Sequence, residues 1–295
     1  MTGKPKVLVI GASGQIGRRV CRGLIQRDVP IRGLSHSPTG AMKIAASGVD
    51  DIVWGDLGDP RTLKAAFHGV DHVMQVSRAI REPRQEIHAI EAAQRAGVRR
   101  VVKLSSEILY YHWDGLSDQE KATPPDMVAA LHGPAEDRIL DTGIDSVMLR
   151  PTWFMSIDAN PLIAAGFTKN QFVWPAGLAG LALVHPDDVA ESAVECLVSE
   201  HLPPSPLHLT GPKELSSEEI AAGFSTVKDA TVVAASPPLH DYEEWLETVA
   251  GMPRQAGRIF DPYVTRRHAP VTDDIEQLLH RPARNFTDYL AHDAT

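Results

Sequence analysis

The stretch that most constrains this chain is Val7-Leu8-Val9-Ile10-Gly11-Ala12-Ser13-Gly14-Gln15-Ile16-Gly17. Val7 to Ile10 is continuously apolar, the pattern of a parallel strand covered on both faces. Gly11, Gly14 and Gly17 follow at once, and Ile16, Val20 and Leu24 then recur at helical spacing. A strand that turns through glycines into a helix gathers backbone N–H groups at the positive end of the helix dipole. Glycine lets a ligand approach the main chain there, so the turn suits an anion. In a βα unit of this kind the anion is a dinucleotide pyrophosphate. The spacing is G-x-x-G-x-x-G rather than G-x-G-x-x-G. Gly11, Ser13, Gly14, Gln15, Ile16 and Gly17 are the expected contacts. A glycine-rich turn that binds nothing is the plainer reading, and it leaves the agreement of strand, spacing and helix unexplained.

The alternation continues. Ile31 to Leu34, Asp51 to Trp54, His72 to Val76, Val101 to Ser105 and Ser146 to Leu149 read as strands. Between them stand four helical patterns: Ala41 to Ala46, a segment opened by Asp59-Pro60 and ended by Gly69, Pro83 to Ala96, and Asp126 to Thr142. Repeated βα units join through right-handed crossovers, so the expected fold class is α/β, a Rossmann-type doubly wound parallel sheet. Its ligands bind outside the carboxyl ends of the strands, where strand order reverses. After Pro151 the pattern loosens. Pro186 to Leu197 reads as a helix with Asp187 and Asp188 in its first turn, and Leu207 to Thr210 as a strand. Ser216 to Glu219 is a capping box, His240 to Ala250 a helix, and Thr272 to Asp274 leads a last short helix. We expect an NAD(P)-binding domain over residues 1–155. A smaller substrate-binding lobe follows over 156–295, partly interleaved with the sheet in one compact unit.

With 295 residues the chain can bury roughly three quarters of its unfolded surface. A formal net charge of −9 argues against nucleic acid or an anionic membrane as partner. The apolar run Ala176 to Val184 is far below the ~20 residues of a spanning helix. The first residues lack the apolar core of a signal peptide, so a cytoplasmic location is expected. Cys21 and Cys196 lie in helical patterns and read as buried thiols. The histidines contain no H-E-x-x-H and no clustered ligand set, and no metal is expected.

The end of the second strand bears on which dinucleotide binds. An Asp or Glu there accepts the ribose hydroxyls of NAD. This chain has Leu34-Ser35-His36-Ser37, with no carboxylate to repel a 2′-phosphate. Ser35, His36 and Ser37, with Arg18 behind the third glycine and Lys43 nearby, favour NADP(H). Arg18 has a second reading, as a solvated helix arginine among Arg19, Arg22 and Arg27. Asp56 and Leu57 are expected to flank the adenine, and Val76 and Ser77 to meet the ribose.

Six further segments carry a resemblance beside the first: W-G-D-L-G-D-P (Trp54 to Pro60), V-V-K-L-S-S (Val101 to Ser106), L-R-P-T-W-F-M (Leu149 to Met155), V-H-P-D-D-V-A (Val184 to Ala190), L-T-G-P (Leu209 to Pro212) and the C-terminal tail. On these the chain resembles the NmrA-like group of atypical short-chain dehydrogenases/reductases, from about Lys6 to Leu290. The resemblance implies a Rossmann fold, NAD(P) binding and one of several roles. Members look like quinone or azo reductases, imine or ketone reductases of small-molecule pathways, or catalytically silent redox-sensing regulators.

The wider superfamily uses Ser, Tyr and Lys, the tyrosine protonating the carbonyl oxygen as hydride arrives. The usual Y-x-x-x-K is absent. With Glu136 as register mark, Val128 falls at the tyrosine position and His132 at the lysine position. Ser106 matches the superfamily serine; a strand-end serine bonded to backbone is its other reading. His132 either holds the nicotinamide ribose, stands in as a weak acid, or simply packs at the cleft edge. Ser105 and Pro151, at two strand ends, complete the expected cofactor contacts. Tyr110, Tyr111 and Trp113 form an aromatic loop, and Trp153 and Phe154 follow the sixth strand. Both groups read either as walls of a pocket for a flat ligand or as core packing. The function expected is NADPH-dependent reduction of a ketone or quinone carbonyl on a flat polycyclic aromatic molecule. The proton then comes from substrate or water. The alternative is a silent NADP sensor that docks on a protein partner.

Overall fold

The computed structural model describes residues 4–76, 84–124, 127–156, 166–168, 170–175, 180–228, 230–260, 264 and 270–292. Its first six strands are β1 (Val7–Ile10), β2 (Ile31–Ser35), β3 (Asp51–Trp54), β4 (His72–Gln75), β5 (Arg100–Leu104) and β6 (Asp145–Pro151). β7 (Phe167–Thr168), β8 (Gln171–Val173), β9 (Leu207–Leu209) and β10 (Val233–Ala235) follow. The main sheet has the order β3-β2-β1-β4-β5-β6-β9, and all pairings among β1 to β6 are parallel. Strand order reverses between β1 and β4, the crevice where doubly wound sheets take their ligands.

The chain divides into two compact units. The first comprises Met1–Ser106, Leu131–Arg150 and Asp187–Leu207. The expected boundary near 155 is therefore one of several places where the chain passes from one unit to the other. The helices α1 (Gln15–Gln26), α2 (Pro38–Ala45), α3 (Leu63–Phe67) and α4 (Arg84–Ala96) lie in this unit. Leu8 and Ile10 of β1 pack with Leu63 and Phe67 of α3 and with Ala89, Ile90 and Ala93 of α4. Val7 and Val9 alternate to the opposite face and are equally buried, which is why the run is apolar without a break. A Cβ on Gly23 would lie 2.9 Å from Val194, so α1 packs closely on the helix Pro186–Val198. Arg19 Nε donates to Asp187 across the same contact, at 2.6 Å. Arg100 of β5 donates to the carbonyls of Cys196 and Ser199, a cation placed at that helix's negative end.

The predicted helix after Asp59 is a 3₁₀ turn, Pro60–Thr62, running into α3, because the Asp59 side chain accepts from the Arg61 N–H and caps that turn. The capping box at Ser216 opens a helix of three turns, Ser217–Lys228.

The second unit comprises Glu107–Ala130, Pro151–Pro186 and His208–Thr295. Its sheet has the order β10-β8-β7, with β10 parallel to β8 and β7 antiparallel to it. Its core is aromatic. Trp153 stacks on Phe260, and Trp174 meets both rings edge-on.

Candidate cofactor and active site

The glycines after β1 are dictated by packing inside the chain. Gly11 has φ +76, and a Cβ there would lie 2.2 Å from the Val76 carbonyl oxygen at the end of β4. A Cβ on Gly17 would lie 2.1 Å from the Gly11 carbonyl oxygen, so the first turn of α1 can sit against the loop only as glycine. Gly14 is the N-cap of α1 and brings no side chain to satisfy the first-turn N–H groups. No carboxylate stands in that first turn either. The turn is a cradle of backbone dipole without a competing anion, and a dinucleotide pyrophosphate fits it. Ser13 and Gln15 are half-buried beside it; Ile16 is buried in the face α1 turns to the core.

At the end of β2 the two serines have separate duties. Ser35 is buried and donates to the Ser37 carbonyl at 2.8 Å. Ser37 caps α2, its Oγ accepting from Gly40 N–H at 3.0 Å, and still has its own proton to give. His36 is exposed. Arg18 and Lys43 are exposed, and neither has an ion-pair partner among the described residues, whereas Arg19 and Arg32 are held by Asp187 and Asp51. The Asp56 carboxylate accepts from Gly58 N–H, and the Leu57 carbonyl accepts from His88. Val76 N–H bonds Ile10. Ser77 lies outside the described residues.

Two short helices, α5 (Leu109–His112) and α6 (Asp118–Lys121), precede α7 (Met127–Leu140), and two buried ionic groups hold α7. The first joins α4, β5 and α7. Lys103 Nζ donates to the Glu86 carboxylate at 2.9 Å, to the Leu104 carbonyl at 3.1 Å and to His132 Nδ1 at 2.9 Å. Lys103 and Glu86 are fully buried, while the His132 side chain keeps 13% of its surface exposed. The second group sits one helical turn on. Glu136 receives the Arg150 guanidinium at both carboxylate oxygens, at 3.2 and 2.6 Å, and also the Ser105 hydroxyl. Expected as a cofactor contact, Ser105 instead spends its hydroxyl on this clamp. Pro151 closes β6 and its carbonyl accepts from Glu107 N–H.

Ser106 is half-buried at the end of β5. The next residue, Glu107, is buried, and burial raises its carboxyl well above the ordinary 4.5. Nothing in the local pattern singled Glu107 out except its place directly after Ser105-Ser106. Val128, at the register of the missing tyrosine, packs against Ile108, Leu109, Trp113 and Ala129. Trp113 is buried in that cluster with Lys121 over its ring at 4.9 Å, and Trp153 is committed to the stack on Phe260. Of the two readings of these rings, core packing is the one observed, and both are buried in the second unit. Tyr110 remains 48% exposed, edge-on to Tyr111 and His208. Phe154 is half-buried and bridges to Val184. Among the described residues there is no group of three or more metal-ligating side chains, and no helix is long and apolar enough to cross a membrane.

The sheet order and the glycine cradle define an α/β dinucleotide-binding protein. A family model described as NAD(P)H-binding matches residues 11–200, and the chain belongs to that family, on the NmrA-like branch of the short-chain dehydrogenases/reductases. It is 29% identical to the NAD(P)H azoreductase of Xenophilus azovorans, over 96% of each chain. It is 30% identical to a (4-alkanoyl-5-oxo-2,5-dihydrofuran-3-yl)methyl phosphate reductase of Streptomyces griseus, over 98% of each. The NADPH-dependent quinone oxidoreductase of Escherichia coli, solved with NADPH, superposes with a TM-score of 0.78 at 22% identity, over 97% of this chain and 99% of that one. The chain is an NAD(P)H-dependent oxidoreductase.

Proposed function

We propose that the protein uses NADPH in preference to NADH and reduces a ketone or quinone carbonyl on a flat, polycyclic aromatic molecule. The observation that carries this reading is the built dinucleotide cradle after β1, and in the sequence an apolar Val128 stands at the register where the superfamily keeps its tyrosine acid. Bound NADPH supplies hydride. The chain's task is then orientation, which binding alone provides. Gly11, Gly14 and Gly17 hold the pyrophosphate, and Arg18 and Ser37 receive the 2′-phosphate. Ser106 and His132 stand at the reacting end as hydrogen-bond donors to the substrate oxygen or the nicotinamide ribose. Valine carries no proton, so the product oxygen takes its proton from water or from a hydroxyl on the substrate beside the carbonyl. Quinones and aryl ketones with such a hydroxyl polarise their own carbonyl. Relatives named for azo compounds and quinones support a flat, conjugated electron acceptor. Tyr110, exposed on the short helix Leu109–His112, offers such a substrate an aromatic face.

The test is NADPH oxidation followed at its near-ultraviolet band with hydroxylated naphthoquinones and anthraquinones as acceptors. Turnover with these, and much slower turnover with the methoxy analogues, is the expected result. Binding of NADPH without consumption by any quinone or aryl ketone would instead favour a redox-sensing protein.

A further inference from the structure

We propose that the buried Glu86–Lys103 pair fixes His132 in the tautomer that carries its proton on Nε2, making His132 a directional hydrogen-bond donor. An ammonium has three N–H bonds and no lone pair. All three of Lys103's donors are used, on the Glu86 carboxylate, the Leu104 carbonyl and His132 Nδ1, at 2.9, 3.1 and 2.9 Å. The nitrogen facing an ammonium must accept, and the bond made by one ring nitrogen sets the proton on the other. Nδ1 faces both Lys103 and Glu86, the latter 3.3 Å away, while the His132 side chain keeps 13% of its surface exposed. Glu86 has two effects. It anchors the ammonium, and it is the acceptor that would draw a proton onto Nδ1 if the ammonium were gone. Lys103 therefore decides between two tautomers that the same cage can hold. Both are positioning residues, acting on a ligand only through the imidazole. What the Nε2–H contacts rests on the reductase reading above; the tautomer does not.

The experiment is a long-range ¹H–¹⁵N correlation spectrum of the uniformly labelled protein, with His132 assigned by the loss of its signals in His132→Asn. The wild type is expected to give a pyridine-type Nδ1 and a pyrrole-type Nε2. In Lys103→Met the pattern reverses, because Nδ1–H then donates to Glu86. Glu86→Gln, which retains the lysine, keeps the wild-type pattern and serves if Lys103→Met does not fold. A pyrrole-type Nδ1 in the wild type, a reversal in Glu86→Gln, or an unchanged pattern in folded Lys103→Met overturns the proposal. None of these readings depends on whether any carbonyl compound is reduced.

Discussion

Arg18 and Lys43 are exposed cations near the glycine turn and the end of β2. Arg19, Arg27 and Arg32 are each held by a carboxylate, while these two have none among the described residues. A charge-assisted bond to phosphate is worth about 1.5–3 kcal/mol. Arg18→Ala is therefore expected to weaken NADPH binding about tenfold and leave NADH nearly unchanged, measured by calorimetric titration of both. No loss for either cofactor would return Arg18 to a solvated helix position, and equal losses would move its contact to the part the two share. Glu107 carries a second prediction. Burial holds its carboxyl well above 4.5, so the folded state binds the proton more tightly than the unfolded one. Its stabilising contribution is complete in acid and is lost as pH rises through the folded value. Glu107→Gln keeps the neutral shape, so it is expected to raise Tm at about pH 8 and change it little at about pH 4. A pH-independent difference would contradict the assignment. At this scale the sequence held more than a reading by type extracts. Lys103 and Arg150 each directly follow an apolar run, Val101-Val102 and Val147-Met148-Leu149, that is buried in the sheet, and a cation there demands a buried partner. Glu86 lies three, four and seven residues before Ala89, Ile90 and Ala93, on the buried face of its helix. The partners themselves are set by tertiary packing and have no local signal.

The helix α7 is the element on which the candidate chemistry depends. His132 and Glu136 sit one turn apart on it, and each is gripped from the sheet. Pro134, between them, has no N–H for the carbonyl four residues back, so the side-chain clamps steady a helix weakened at that point. Arg150→Met leaves Glu136 buried without its cation and is expected to cost about 3–5 kcal/mol in denaturant unfolding. A loss under ~1 kcal/mol would mean that water reaches the carboxylate. In the glycine turn, Gly17→Ala forces a Cβ onto the Gly11 carbonyl. It is expected to cost about 1–3 kcal/mol and to abolish detectable dinucleotide binding, by thermal shift with and without NADPH. β1, β4 and the apolar stretch of β5 were legible as buried runs, and the helices of the first unit as periodic patterns with a glycine or a cap at an end. β7, β8 and β10 were not. They are two or three residues long, and β8 pairs with β10 across some sixty residues, so neither periodicity nor turn chemistry marks them. For Trp113 and Trp153 the sequence leaves pocket wall and core packing both open, for a related reason. A strand-end aromatic looks the same in sequence whether it faces a ligand or a neighbouring ring.

For the whole molecule, the fold class and the cofactor class followed from the first seventeen residues and the repeats behind them. The division into units did not. A chain that passes between two units several times has no composition shift or linker to mark a boundary. The substrate is the least legible feature, because the fold hosts many chemistries and the proton donor that would narrow them is missing at position 128. What remains central is the claim that the turn after β1 binds a dinucleotide and that the carboxylate-free end of β2 selects the phosphorylated one. Calorimetric titration of the purified protein with NADPH and with NADH tests this most directly. The expected result is one site per chain with NADPH held at least about tenfold tighter, a difference of about 1.4 kcal/mol. Equal dissociation constants would remove the selection, and no heat from either nucleotide would remove the cradle itself.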